Sequence, residues 1–140
     1  MNYYQVNVSY ERQTGEDNPS KVKEAYLVAT ENASDAENRV MEEIKPFIFG
    51  VCETKQIKKR SFFIELTNNE YNDYYYEAKV EVITIDGETE TRRVVSILVS
   101  ADNFKDALTY LMSNINDCDC EIISLKKSPI TDILSVIKSE

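Results

Sequence analysis

The sequence predicts an α+β protein made of an internally duplicated β-β-α-β unit, with antiparallel-rich sheets and one helix per unit. Residues 4–10 and 76–82 alternate apolar and polar side chains, as half-buried strands do, and they align at an offset of 72 residues. An amphipathic helical pattern follows in each half, and the two patterns align at an offset of 71 residues. Residues 57–59 align with 125–127 at an offset of 68. Such self-similarity indicates a repeat, and a duplicated unit implies a pseudo-two-fold axis.

The length of 140 residues fits a single domain, 1–140. Within it the pattern predicts repeat unit one at 1–68, repeat unit two at 74–128 and a C-terminal tail at 129–140. Each unit has only about 70 residues, so we expect the two units to share a core.

Unit one begins with a strand at 3–12 and a second strand at 21–30, separated by a turn-like segment at 14–20. After the helix, Gly50 interrupts the chain and 51–66 is predicted to form one long third strand. The polar segment 67–73 is the predicted linker.

Unit two repeats this order, with strands at 75–85, 92–100 and 121–127 and a short turn at Asp86-Gly87. The apolar residues of 130–137 predict either a short amphipathic helix or a docking strand. One six-stranded sheet and two three-stranded sheets both satisfy the pattern.

Both helices carry start signals and an apolar stripe. Ser34 and Glu37 have the spacing of a capping box, and Asp102 or Asn103 is the predicted cap of the second helix. The predicted core-facing residues are Ala36, Val40, Met41 and Ile44 in the first helix, and Ala107, Leu108, Leu111, Met112 and Ile115 in the second.

Composition narrows the possible functions. The net charge of −9 opposes non-specific nucleic-acid binding, which depends on neutralising phosphates. The absence of histidine removes Ser-His-Asp and Cys-His catalysis and histidine metal sites. With no signal-peptide pattern, no membrane-spanning apolar run and an odd number of cysteines, we expect a soluble cytoplasmic protein with reduced thiols.

Paired lysines are the first candidate binding feature. Lys58-Lys59 and Lys126-Lys127 fall at matching positions, with Lys55 and Arg60 near the first pair. Such a patch would attract a compact, multiply charged anion such as a nucleotide or cyclic nucleotide, in a site made from both units. Adjacent strand residues point to opposite faces, so one lysine of each pair serves a given groove unless a bulge intervenes. The competing interpretation is that these lysines protect edge strands from aggregation.

Tyrosines cluster at the predicted strand starts. Tyr4, Tyr10 and Tyr76 fit the apolar strand face and are predicted core residues, whereas Tyr3 and Tyr75 suit stacking on a ligand as well as covering a sheet edge. The predicted ligand-binding set is Lys55, Lys58, Lys59, Arg60, Lys126, Lys127, Tyr3 and Tyr75.

Residues 114–121 alternate oxygen-bearing side chains with Cys118 and Cys120. The segment lacks the glycine and the distal glutamate of a calcium-binding EF-hand, and two thiolates do not complete a zinc site. We therefore predict a polar turn, no metal and no cofactor.

Several stretches together resemble a known family: 4–10, 23–29, 34–37, 43–48 and 57–60. They are similar to an uncharacterised domain family of Bacteroidota and their phages, including crAss-like phages. The resemblance covers most of the chain. It implies a phage or gut-bacterial origin and assigns no functional residues.

These observations favour a non-catalytic, phage-encoded protein that sequesters a nucleotide-like anionic signal in the host cytoplasm, as a counter-defence. The alternative is an acidic interaction or nucleic-acid-mimic module that binds a basic host or phage protein. A third possibility is an enzyme that uses carboxylates with a divalent metal. We expect no membrane partner, and either a monomer or a homodimer.

Overall fold

The computed structural model describes residues 3–12, 20–66, 74–117 and 119–136. These residues form eight strands in two sheets and two α-helices, so the protein is α+β as predicted. The predicted linker 67–73, nearly all of the turn 14–20, and Cys118 lie outside the described residues. The elements are β1 (Tyr3–Arg12), β2 (Ser20–Ala29), α1 (Ala33–Ile44), β3 (Ile48–Arg60), β4 (Ile64–Leu66), β5 (Tyr74–Asp86), β6 (Thr89–Ala101), α2 (Phe104–Ile115), β7 (Cys120–Lys127) and β8 (Ile130–Ser135).

The chain divides into two compact units. Unit 1 contains Met1–Ser61 and Pro129–Glu140, and unit 2 contains Phe62–Ser128. Each unit therefore receives one strand from beyond its own β-β-α-β segment: β8 belongs to unit 1 and β4 to unit 2.

Sheet A of unit 1 has the strand order β3-β1-β2-β8. β1 pairs antiparallel with β2 and with β3, whereas β8 adds parallel to β2. The alternation of β1 sends Val6, Val8 and Tyr10 to the face covered by α1, where they are buried. Leu134 of β8 is buried in this same core.

Sheet B of unit 2 has the order β4-β6-β5-β7, and the short β4 adds parallel to β6. Tyr76, Ala78 and Val80 face α2 and form the core with Ala107 and Leu111. β5 and β6 join through a two-residue turn, in which Gly87 has a φ of 64° that favours glycine.

The structure corrects two strand predictions. The predicted strand 51–66 is two strands, β3 and β4, which belong to different sheets. Each sheet has four strands, because β8 joins sheet A and β4 joins sheet B. The predicted arrangement of two three-stranded sheets did not include these two strands. Of the two predictions for the tail, the docking strand is confirmed and the helix is wrong.

The capping box predicted at Ser34 is also wrong. α1 begins at Ala33, and Asn32 is the cap: its Oδ1 accepts a 2.8 Å hydrogen bond from the amide of Asp35. Asn103 caps α2 in the same way, through the amide of Asp106 at 2.8 Å. Each aspartate also accepts from the side-chain amide of its asparagine. The motif that caps each helix is therefore Asn-x-x-Asp. In α1 this motif begins at Asn32, two residues before Ser34, where the capping box was predicted.

Neither α1 nor α2 nor any other helix among the described residues is long and apolar enough to cross a bilayer.

Candidate functional site

Both lysine pairs lie on edge strands, Lys58-Lys59 on β3 and Lys126-Lys127 on β7. The register places Lys59 opposite Tyr4 on the face of sheet A that α1 covers, and it places Lys58 opposite Gln5 on the other face. The two lysines of a pair therefore serve different faces, as the strand alternation predicts. Their edge position also suits the protective role that competes with binding.

The face of sheet A opposite α1, here called the polar face, carries basic side chains from two strands. The register assigns Lys21 and Lys23 of β2 to this face, together with Lys58 and Arg60 of β3. Glu11 and Glu53 share the face. In a protein with a net charge of −9, this is a local excess of positive charge.

A row of hydrogen bonds fixes one end of the polar face. Arg60 Nη1 donates to Gln5 Oε1 at 2.8 Å, and Gln5 Nε2 donates to Asn7 Oδ1 at 3.1 Å. Asn7 Nδ2 then donates to Gln56 Oε1 at 3.4 Å. Gln5 is almost fully buried, so the row satisfies its amide and holds Arg60 in place.

Lys55 reaches the polar face through a β-bulge. Asn7 pairs with Gln56 and Val8 pairs with Thr54, which leaves Lys55 as the extra residue of β3. Lys55 Nζ donates to Glu53 Oε2 at 2.9 Å. This hydrogen bond, the positive charge of Lys55 and a smaller contribution from Lys21 lower the pKa of Glu53, so its carboxylate stays ionised and can only accept hydrogen bonds.

Two open grooves lie over this face. One has a volume of about 340 Å³ and is lined by Asn7, Lys23, Lys55 and Pro129 among others. The other, of about 370 Å³, is lined by Ser9, Glu11, Lys21, Gly50 and Glu53 among others. Both volumes fall within the range of small-molecule sites. Lysine, asparagine and serine donors beside an ionised carboxylate suit an anion that also carries a hydroxyl or amino group.

Of the predicted ligand-binding set, Lys55 lines one of these two grooves, whereas Lys58, Lys59 and Arg60 line neither. In unit 1, Tyr3 pairs with Arg60 across β1 and β3 and lines neither groove. In unit 2, Tyr75 pairs with Ser100, and Lys126 lies opposite Glu77 on the face of sheet B away from α2.

Three basic residues of sheet B, Lys127, Lys79 and Arg92, have local partners. The ammonium of Lys127 lies 3.5 Å from the centre of the Tyr74 ring, in a cation–π contact. Lys79 lies 3.8 Å from Glu77, and Arg92 lies 3.1 Å from Glu81. These three basic residues of sheet B therefore have acidic or aromatic partners, as Lys55 of the polar face has in Glu53.

Sequence reasoning missed Asn7, Ser9, Lys21, Lys23 and Glu53. The spacing of Lys21 and Lys23 could have indicated a basic strand face, because residues two apart on a strand share one face. Placing them beside Ser9 required the hairpin register, which the composition of the turn did not supply.

Within residues 3–12, 20–66, 74–117 and 119–136, no group of three or more Cys, Asp or Glu side chains is placed to hold a metal ion. Residues 2–136 match the model of a family described as Domain of unknown function (DUF4494), and the chain belongs to that family. No curated protein matches the chain.

Proposed function

We propose that this DUF4494 member is a non-catalytic binding protein that holds a small, nucleotide-like anion on the polar face of sheet A. The proposal includes phage origin and sequestration of a host nucleotide signal in the host cytoplasm. Phage origin is supported by the resemblance to proteins of Bacteroidota and their phages. Binding is supported by the accumulation of basic side chains on one face of an acidic protein.

The excess of basic side chains on the polar face is the observation that carries the proposal. Five basic side chains lie on or reach the polar face of sheet A: Lys21, Lys23, Lys55, Lys58 and Arg60. The acidic residues Glu11 and Glu53 share this face, and Glu24 lines one of its grooves, so the basic groups outnumber the acidic ones. A local excess of positive charge beside open grooves raises the local concentration of anions.

Isothermal titration calorimetry with linear and cyclic nucleotides tests the proposal. We expect wild-type protein to bind at least one of them, and Lys58→Glu to weaken that binding about tenfold or more, because it reverses a charge on the polar face. Lys126→Glu is the matched control, since Lys126 holds the corresponding register position on β7. Absence of heat at high micromolar concentrations for every nucleotide would contradict the proposal. If Lys58→Glu and Lys126→Glu weakened nucleotide binding equally, the site would not lie on sheet A alone, which would also contradict the proposal.

The proposal also includes the predicted duplication and its pseudo-two-fold symmetry. Two observations support it. Lys59 lies opposite Tyr4 and Lys127 lies opposite Tyr76. A bulge follows Asn7 in the pairing of β1 with β3, and a bulge follows Lys79, 72 positions later, in the pairing of β5 with β7.

A second candidate function is an acidic module that binds a basic protein. It is favoured by α1, whose exposed side includes Asp35, Glu42 and Glu43. This function predicts capture of a basic partner that weakens steeply as salt is raised. Capture that is equal at low and high salt, or that survives Glu42→Lys, would contradict it.

A further inference from the structure

The hydroxyl of Ser9 is a buried polar group without a hydrogen-bond partner. Ser9 is 3% exposed, and among the described residues its Oγ is the only buried side-chain nitrogen or oxygen that lacks a partner. By contrast, Gln5, two positions from Asn7 on the same face, is fully engaged in the Arg60–Asn7 row. Buried polar groups nearly always have a hydrogen-bond partner, so an orphaned hydroxyl beside a groove is a position where a bound molecule can supply one.

The neighbours of Ser9 indicate which chemical groups such a molecule would carry. Lys23 lies directly opposite Ser9 on β2, and Glu53 lies directly opposite on β3. Lys21 lines the same groove of about 370 Å³ as Ser9 and Glu53. Two ammonium groups and a hydroxyl are hydrogen-bond donors suited to phosphoryl oxygens, whereas the Glu53 carboxylate accepts from a hydroxyl or amino group.

We infer that the Ser9 hydroxyl donates a hydrogen bond to a phosphoryl oxygen of a phosphate ester bound between Lys21, Lys23 and Glu53. Glu53 accepts from a sugar hydroxyl or an amino group of the same ligand, and this second contact favours a phosphate ester over inorganic phosphate. The inference rests on the proposed function and assigns its ligand class: a phosphate ester that also carries hydrogen-bond donors, as nucleotides do.

Calorimetry with three probes tests this assignment: AMP, inorganic phosphate and adenosine. Ser9→Ala is expected to weaken AMP binding about tenfold, the effect of losing one charge-assisted hydrogen bond. The same substitution should leave any binding of adenosine unchanged. Wild-type protein should bind AMP more tightly than inorganic phosphate. Ser124→Ala on β7 is the matched control, because it removes a hydroxyl from a strand of sheet B and should not alter AMP binding. Ser9→Ala should also leave the urea midpoint of the ligand-free protein unchanged or raised, because the hydroxyl has no partner to lose.

The outcomes separate this inference from the proposed function. If wild-type protein binds AMP, Lys58→Glu weakens it and Ser9→Ala does not, the Ser9 assignment is wrong and the proposed function stands. A lowered urea midpoint for ligand-free Ser9→Ala would show that the hydroxyl is already satisfied internally, which also overturns the assignment. Wild-type protein that binds neither AMP nor any other nucleotide contradicts both.

Discussion

The hydroxyl of Tyr10 donates a 2.5 Å hydrogen bond to Oε1 of Glu24, which places a carboxylate at the edge of the core of unit 1. The same oxygen accepts from the hydroxyl of Tyr26 at 3.0 Å, and Arg12 lies 4.0 Å from the second carboxylate oxygen. Both tyrosines are buried. Two hydroxyl donors and a cation satisfy the carboxylate, so this polar cluster is stable among apolar side chains.

Replacing Tyr10 with phenylalanine should therefore destabilise the protein. The substitution removes one donor to a partly buried carboxylate, and we expect the free energy of unfolding to fall by about 2 kcal/mol. Urea denaturation followed by circular dichroism measures it. Tyr74→Phe is the control, because Tyr74 is exposed. Equal stabilities of the two variants would show that the hydrogen bond contributes nothing.

The same cluster predicts a loss of stability at alkaline pH. Burial, followed by the hydrogen bond to Glu24 and the charge of that residue, raises the pKa of Tyr10 to about 12. The unfolded chain releases this proton near a pH of about 10, whereas the folded protein retains it. The unfolded state therefore binds fewer protons between these values, and stability falls as pH rises through that interval. The pKa of Tyr26 is raised for the same reasons and acts in the same direction.

Urea midpoints measured at about pH 9 and about pH 11.5 test this pH dependence. The decline in the free energy of unfolding should be about 2 kcal/mol smaller in Tyr10→Phe than in wild type. Identical declines would mean that Tyr10 does not keep its proton in the folded state.

The helix caps give a third prediction. Asn32→Ala removes the acceptor for the amide of Asp35 and should cost about 1 kcal/mol of stability, whereas Ser34→Ala should cost almost nothing. Asn103→Ala should resemble Asn32→Ala, because Asn103 caps α2 in the same way. Thermal unfolding of the variants measures the differences. If Ser34→Ala lost as much stability as Asn32→Ala, the predicted capping box at Ser34 would be supported instead.

The fourth prediction concerns β8. Leu134 is 6% exposed and packs in the core of unit 1, so Leu134→Ala should lower the free energy of unfolding by about 2–4 kcal/mol. The exposed Thr131 of the same strand provides the control, since Thr131→Ala should have little effect. Chemical denaturation of both variants measures the contribution. A neutral Leu134→Ala would mean that β8 adds no stability to sheet A.

Local sequence was enough for the strands and helices whose patterns depend on near neighbours. The buried positions Val6, Val8 and Tyr10 follow directly from the two-residue period of β1, and Ala36, Val40 and Ile44 follow from the helical period of α1. The cap of α1 was misplaced because Ser34 offers a cap two residues after Asn32, and only the first turn of the helix shows which side chain meets the amide of Asp35.

The sequence by itself determined most of the strands and both helices, with most of their apolar faces, because those properties depend on periods of two and of 3.6 residues. Only the tertiary structure decided that β4 pairs with β6 and that β8 pairs with β2. A short alternating segment suits the edge of either sheet, and long-range packing selects between them. The polar face was decided in the same way: Ser9, Lys23 and Glu53 are far apart in sequence, and the register of β1 with its two neighbours brings them side by side.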